Sequence, residues 1–189
     1  MTRILSRRRV RDGYLKIDQL TLLTDAGQEV LREVEDHGRS ACVLPYDPDR
    51  RVAVVVSMAR APVLAAGEGD DLIEAPAGMI DGDEGAPEAV RREAMEEAGL
   101  RLGDLEPVAV VWPSPGVSAE TSGLFLARYG AGDRVADGGG VEGEHEGITV
   151  RELPLAELAR LADQGALRDL KTLALVQTLR LRRPELFEK

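Results

Sequence analysis

The sequence predicts an α/β or α+β fold in which helices cover a mixed sheet. Short segments rich in Val, Leu and Ile occupy the first two-thirds of the 189-residue chain, and three helical segments are dispersed between and after them. Hydrophobic residues make up 43% of the chain and charged residues 31%, as in ordinary globular proteins. A chain of this length and composition can form one domain with a full core.

The predicted strands are short apolar runs bounded by turn residues. They cover residues 15–23, 30–34, 40–44, 52–57, 108–112 and 121–127. Asp25-Ala26-Gly27 is a turn signal, so the first two strands are expected to form a hairpin across residues 24–28. Trp112 and Cys42 lie in these runs and are expected in the core.

The three predicted helices cover residues 87–98, 155–164 and 167–182. Pro87 suits a first helical turn, where its missing N–H would have no intrahelical partner, and Gly99 suits the position after the last turn. The second helix follows Pro154 and stops at Gly165, and the third ends before Pro184.

The formal net charge of −10 argues against a nucleic-acid-binding protein, because such proteins bind phosphates through Lys and Arg side chains. An acidic protein that acts on a phosphorylated substrate needs a cation between the two, so the composition fits a metal enzyme. The five arginines before residue 12 form a short charge run, which we expect to be solvated. One unpaired cysteine, with no apolar run of membrane-spanning or signal-peptide type, predicts a cytoplasmic protein that does not bind membranes.

One segment breaks the pattern of short loops. Residues 130–147 contain seven glycines, and the second half is acidic, with Glu142, Glu144 and Glu146. Such a composition cannot bury much apolar surface, which favours disorder. A loop this long inside a compact domain is otherwise functional, so composition alone leaves both interpretations open.

Three glutamates cluster on the predicted helix 87–98. Glu93, Glu96 and Glu97 are spaced i, i+3 and i+4, so they share one helix face beside an apolar stripe. Like charges at this spacing destabilise a helix by about 0.2–0.5 kcal/mol per pair, and carboxylates near its C-terminus oppose the helix dipole. A hard cation such as Mg²⁺ or Mn²⁺ would offset both penalties. The alternative is a solvated acidic face with Arg91 and Arg92 as local partners.

Residues 78–100 resemble the Nudix box, G-x5-E-x7-R-E-U-x-E-E-x-G-U, in which U is a bulky aliphatic residue. All the fixed positions match, and they are Gly78, Glu84, Arg92, Glu93, Glu96, Glu97, Gly99 and Leu100. Ala94 is smaller than the Ile, Leu or Val usual at the first U position. The resemblance implies a Nudix-type α/β/α sandwich with a loop–helix–loop metal site, preceded here by an N-terminal β-hairpin extension.

The same resemblance assigns roles to the matched residues. Four residues are expected to supply oxygen ligands to Mg²⁺, or alternatively Mn²⁺: Glu93 and Glu97 mainly, Glu96 alongside or through water, and Ala77 through its carbonyl. Glu84 and Arg92 are expected to pair and fix the helix against the preceding loop. Gly78 would let the backbone closely approach the metals and the substrate.

Three further segments resemble one branch of the family. Ser114-Pro115-Gly116, followed by Glu120, is similar to a segment of hydrolases of ADP-ribose and nucleotide sugars. Gly138-Gly139-Gly140-Val141-Glu142, followed by Glu144, Glu146 and Ile148, resembles the GDP-mannose hydrolase branch, as does the tail Gly165-Ala166-Leu167-Arg168-Asp169-Leu170-Lys171-Thr172. The resemblance implies that Glu144 is the general base, acting with Glu96 and Glu97. Glu146 would join a metal when the loop closes. Because the loop is two residues longer than usual, Glu142 and Glu146 stay alternatives for the general base.

The resemblance also predicts the reaction and the assembly. Arg60, Gly78, Ser118 and Glu120 would contact a small nucleotide substrate, whose diphosphate is cleaved to a nucleoside monophosphate and a sugar 1-phosphate. GDP-mannose or a similar nucleotide sugar is the favoured substrate. The alternatives are ADP-ribose, giving AMP and ribose 5-phosphate, and a non-catalytic nucleotide-binding Nudix domain. Residues 1–38 would form a dimerising extension of a homodimer, and residues 39–189 the hydrolase domain.

Overall fold

A computed structural model describes residues 1–69, 71–141, 143 and 147–188. The chain divides into two compact units. The first consists of Met1–Arg39 with Val111–Ser122, and the second of Ser40–Val110 with Gly123–Lys189. Each helix in the described ranges is too short or too polar to span a bilayer.

The first unit contains an antiparallel sheet of β1 (Arg3–Asp12), β2 (Lys16–Leu23) and β3 (Glu29–Glu35), in that order. The predicted hairpin is confirmed, because β2 and β3 pair from Ile17 opposite Glu35 to Leu23 opposite Glu29. Gly27 closes the turn with a positive φ of 76°, which glycine adopts without strain.

The arginine run at the N-terminus is part of β1, whose residues are all exposed as expected, but two of its arginines also form ion pairs within the sheet. Alternate residues of a strand point to the same face, and this brings Arg7 and Arg9 together over β2. Their Nε atoms donate to the two carboxylate oxygens of Asp18 at 2.7 and 2.6 Å. Asp18 is only 1% exposed, and the hydrogen bond from Arg9 holds its pKa below the ordinary value.

The second unit is built on one large mixed sheet. In the described residues its strands are β4 (Arg39–Asp47), β5 (Val52–Met58), β6 (Leu72–Glu74), β7 (Ala77–Met79), β8 (Leu105–Val111), β9 (Thr121–Arg128) and β10 (Thr149–Pro154). The order is β10-β5-β4-β9-β8, with β6 paired to β5 and β7 to β4. The predicted strands are all present, whereas β1, β6, β7 and β10 were not predicted.

The helices in the described ranges are α1 (Ala61–Ala65), α2 (Ala86–Ala98), α3 (Leu155–Asp163) and α4 (Leu170–Arg182). The three predicted helices are confirmed, and the short α1 was missed. Helix α4 begins three residues later than predicted because Asp169 is its N-cap, with the side chain accepting a hydrogen bond of 2.8 Å from the Thr172 N–H.

The core of the second unit lies between α2 and the sheet. Val90, Ala94 and Ala98 form the buried stripe of α2 and belong to one apolar cluster with residues of β4, β5 and β9. Cys42 is fully buried, as predicted. Trp112 is 57% exposed, so its predicted core position was wrong; it follows β8, which ends the strand order of the sheet on one side. The predicted fold class is confirmed.

Candidate functional site

Helix α2 places the acidic cluster. Its N-cap is the extended Gly85, Pro87 lies in the first turn, and Gly99 ends it in the left-handed conformation with φ 66°. The Gly99 N–H donates to the carbonyl of Met95 at 3.0 Å. Because the apolar stripe of α2 is fixed against the sheet, the positions of the glutamates beside it are fixed as well.

Glu97 is the most buried of these carboxylates, with 5% of its surface exposed. Its Oε2 accepts a hydrogen bond of 3.0 Å from the backbone N–H of Ala77. Ala77 begins β7 and pairs with Cys42 of β4, so the sheet itself determines where this N–H points. The structure therefore brings together two residues that lie twenty positions apart in the sequence.

Glu93 lies against the backbone of Gly78. A Cβ atom built on Gly78 would stand only 1.8 Å from Oε1 of Glu93 and 2.1 Å from its carboxylate carbon. Any side chain at residue 78 would displace the carboxylate. The glycine therefore lets the Glu93 carboxylate lie directly against the backbone of β7.

Arg92 connects the acidic cluster to the loop before α2. Its Nη2 donates to Glu84 Oε1 at 2.8 Å and to the carbonyl of Met79 at 2.9 Å. Its Nη1 donates to Glu93 Oε1 at 2.7 Å and Glu96 Oε2 at 3.0 Å. One guanidinium is thus divided among three carboxylates.

The Glu84–Arg92 contact also organises the loop. The Asp81 N–H donates to Glu84 Oε1 at 2.9 Å, and the Glu84 N–H donates to the Asp81 carbonyl at 3.0 Å. The hydrogen bond from Arg92 lowers the pKa of Glu84, and the same bond raises the pKa of Arg92. Glu84 therefore stays ionised at lower pH than an ordinary glutamate does.

The donor chemistry of the cluster fits a hard divalent cation, since its side-chain ligands would all be carboxylate oxygens. Glu93, Glu96, Glu97 and the Ala77 carbonyl are the residues that could hold one. No group of three or more His, Cys, Asp or Glu side chains is already gathered around a common point in the described part of the chain. Glu93 and Glu96 share the cationic Arg92 instead, so these carboxylates would have to rotate to meet a metal ion.

The predicted loop glutamates and Arg60 belong to segments of the chain other than α2. Glu144 and Glu146, the predicted base and loop ligand, lie outside the described residues, as does Glu142. Arg60 donates to both carboxylate oxygens of Glu74, at 2.6 and 3.2 Å, and its side chain is 38% exposed.

Ser118 and Glu120 belong to the first unit. Ser118 is 9% exposed, and its hydroxyl accepts a hydrogen bond of 3.1 Å from the Glu120 N–H. The Ser118 N–H donates to the carbonyl of Ser114 at 2.9 Å, so these residues form one tight turn.

A buried polar network beside the site was missed by sequence reasoning. The Thr172 hydroxyl donates to Asp169 at 2.6 Å and accepts from the Ala75 N–H at 2.7 Å. Lys171 contacts Asp169 at 2.7 Å and Glu74 at 3.8 Å. Burial alone would lower the pKa of Lys171, but the carboxylates, Asp169 above all, raise it. Asp169 is a favoured N-cap residue, and this signal could have located the network.

The comparisons with known proteins agree with this geometry. A family model described as NUDIX domain matches residues 36–176. The chain is 40% identical over 177 residues to a GDP-mannose pyrophosphatase of Cronobacter sakazakii, which covers 90% of this chain and 91% of the relative. It is 36% identical over 176 residues to a GDP-mannose pyrophosphatase of Salmonella arizonae, covering 90% of each.

A solved structure described as an ADP compounds hydrolase has a similar fold. The TM-score is 0.77 at 17% sequence identity, and the alignment covers 97% of this chain and 95% of the solved one. At this identity the likeness concerns the fold alone.

Proposed function

Because this chain belongs to the NUDIX domain family and is a Nudix hydrolase of the nucleotide-sugar pyrophosphatase type, we propose that its substrate is GDP-mannose or a closely similar nucleotide sugar. We also propose that it depends on Mg²⁺, with Mn²⁺ as a substitute. The products would be a nucleoside monophosphate and a sugar 1-phosphate.

One observation of the structure carries the proposal. Glu97 lies against the Ala77 N–H, and Glu93 lies against Gly78, so two carboxylates of α2 meet the same short strand, β7. The carboxylate oxygens of α2 and the backbone carbonyl of Ala77 in β7 could therefore serve one metal site. The 40% identity to a GDP-mannose pyrophosphatase over 90% of the chain supports the substrate class.

The proposed reaction is attack of water on one phosphorus of the diphosphate. The new P–O bond forms as the bond from that phosphorus to the bridging oxygen breaks. A bound divalent metal lowers the pKa of its coordinated water and neutralises charge on the phosphate oxygens. Glu93 and Glu97 would hold it, with Glu96 and the Ala77 carbonyl as further donors.

The remaining roles belong to the chain's own side chains. Glu144 would accept the proton of the attacking water, and Glu146 would be a further metal ligand. Arg60, already oriented by Glu74, would bind a phosphate of the substrate. Ser118 and Glu120 stay predicted substrate contacts, through hydrogen bonds to sugar hydroxyls.

The substrate is tested by initial rates with GDP-mannose, ADP-ribose, ADP-glucose and 8-oxo-dGTP in Mg²⁺, with an EDTA control for each. We expect the highest kcat/KM with GDP-mannose and no turnover in EDTA. A preference for ADP-ribose would keep the reaction and reject the sugar assignment. No metal-dependent release from any of the four would favour a different diphosphate substrate or the non-catalytic alternative.

The first unit is proposed to contribute to a homodimer, with residues 1–38 as the extension and 39–189 as the hydrolase domain. Among the described residues β1 pairs with β2 alone, so its outer edge can accept another strand. Ile4, Leu5 and Val10 on β1 are exposed by 60%, 40% and 44%. A monomeric mass by light scattering would reject the dimer.

The cytoplasmic location stays a prediction.

A further inference from the structure

The C-terminal end of α2 is covered by the glycine-rich segment that the sequence left open between disorder and function. The last carbonyls of any helix lack intrahelical partners and need other donors. The Gly139 N–H donates to the carbonyl of Glu97 at 2.8 Å, and the Gly140 N–H donates to that of Glu96 at 3.0 Å. The backbones of two proposed metal ligands are thus bound by neighbouring glycines.

Only glycine fits this arrangement. Gly138, Gly139 and Gly140 have φ angles of 75°, 104° and 89°, a left-handed run that side chains disfavour. A Cβ on Gly138 would lie 2.4 Å from the carbonyl oxygen of Glu97 and 2.7 Å from the carbonyl carbon of Ala98. These are backbone atoms inside a packed helix, which cannot move aside as a flexible side chain would.

The contact is reciprocal and continues along the chain. A Cβ on Gly99, the residue that ends α2, would lie 2.1 Å from the carbonyl oxygen of Ala136. The Val135 N–H donates to the Gly99 carbonyl at 2.9 Å, and the Arg101 N–H donates to the Asp133 carbonyl at the same distance. Residues 133–140, which precede the acidic part of the loop, are therefore held on the C-terminal end of α2 by several backbone hydrogen bonds.

We propose that Gly138, Gly139 and Gly140 are positioning residues for the metal-binding carboxylates. Gly139 and Gly140 satisfy the carbonyls of Glu97 and Glu96, and the close packing of Gly138 limits how far the helix end can shift. Their N–H groups also place positive partial charge at the helix end, where a carboxylate is otherwise disfavoured. This inference rests on the proposed function, because it takes Glu96 and Glu97 as metal ligands.

The expected effect of a side chain at residue 138 depends on how precisely metal ligands must be placed. Functional groups must stay within about 0.5 Å of their productive position. Relieving a 2.4 Å contact to an ordinary separation requires a shift of about 1 Å or more. Loss of a residue that orients a metal ligand typically weakens metal affinity by about 10–100-fold.

The test is Gly138→Ala in the full-length protein, with Mn²⁺ affinity measured by electron paramagnetic resonance in the absence of substrate. We expect Mn²⁺ to bind at least about tenfold more weakly. In steady-state kinetics with GDP-mannose, kcat should fall while KM changes little, since the proposed substrate contacts lie elsewhere. Far-UV circular dichroism should show that the fold is retained.

Gly165→Ala is the matched control. Gly165 follows α3 with φ 68°, so alanine there suffers the same backbone strain, but a Cβ on it meets nothing within 4 Å. We expect Gly165→Ala to bind Mn²⁺ and turn over like the wild type. Equal loss in both variants, or wild-type Mn²⁺ affinity in Gly138→Ala, would overturn the inference. A wild type that neither binds Mn²⁺ nor turns over would instead reject the proposed function, and this inference with it.

If Gly138→Ala does not fold, hydrogen exchange of the wild-type protein tests the same contact. The amides of Gly139 and Gly140 should be protected like those in the last turn of α2, and Mg²⁺ should increase that protection. Exchange of both amides at the rate of an unstructured peptide, with or without Mg²⁺, would contradict it.

Discussion

Two ion-pair clusters in this chain are arranged in opposite ways. In the N-terminal sheet, the guanidinium groups of Arg7 and Arg9 both bind the carboxylate of Asp18, which is 1% exposed. They also reach Asp36, at 3.0 and 3.8 Å. On α2, the single guanidinium of Arg92 is divided among three carboxylates. In the first arrangement a buried carboxylate has two cationic partners, whereas in the second three carboxylates share a single cation.

The difference separates a structural cluster from a functional one. A buried carboxylate with two charge-assisted hydrogen bonds is satisfied by the protein itself. Three carboxylates around one arginine repel one another, and a divalent cation would relieve that repulsion. We therefore expect substitutions in the first cluster to change stability, and substitutions in the second to change metal binding and turnover.

The largest effect is expected for Glu97→Gln. It removes the charge of the most buried carboxylate while the shape of the side chain is kept, so kcat should fall by more than about 100-fold. The melting temperature should change little. Glu88→Gln, on the exposed first turn of the same helix, is the control and should keep wild-type turnover. Unchanged turnover in Glu97→Gln would remove this residue from the metal site.

A smaller effect, on stability alone, is expected for Asp18→Asn. The change removes the buried anion that Arg7 and Arg9 share and leaves them only the more exposed carboxylates nearby, so the melting temperature should fall by roughly 2–4 °C, as for a loss of about 1 kcal/mol in a chain of this size. Calorimetry measures the shift, and Mn²⁺ affinity should equal that of the wild type. Weaker Mn²⁺ binding would erase the distinction between the two clusters.

The smallest effect is a pH dependence carried by Glu84. Arg92 holds the pKa of Glu84 below its ordinary value of 4.5, so the pair stabilises the fold above that pH. The contribution is lost as pH falls through the lowered pKa, because Glu84 then takes up a proton. The difference in melting temperature between wild type and Glu84→Gln should be constant near neutral pH and shrink once the pH falls below the ordinary glutamate pKa. A difference independent of pH would contradict this contact.

The sequence predicted those parts of the fold that depend on local periodicity. Helix α2 and the hairpin of β2 and β3 were found because their apolar spacing and their glycines are contiguous signals. Strand β1 was missed because its alternation is of arginines rather than apolar residues, and its partner Asp18 is known only from the fold. Trp112 was misplaced because sequence does not tell an outer strand from a central one.

In the candidate site, too, only the features that depend on local periodicity could be predicted. The glutamates of α2 share one face by helix geometry alone, so the sequence could place them together. The contact between the Ala77 N–H and Glu97, and the packing of Gly138 on the helix end, join residues twenty to forty positions apart. Such contacts depend on strand pairing and on loop conformation, which a periodic pattern does not encode.

The most direct test of the central claim is a Mn²⁺ titration followed by electron paramagnetic resonance, without substrate. Wild type and Asp18→Asn should bind Mn²⁺ with equal affinity, and the double variant Glu93→Gln/Glu97→Gln should lose that binding while staying folded. Equal Mn²⁺ binding by the double variant, or no binding by the wild type, would show that the carboxylates of α2 are not a metal site.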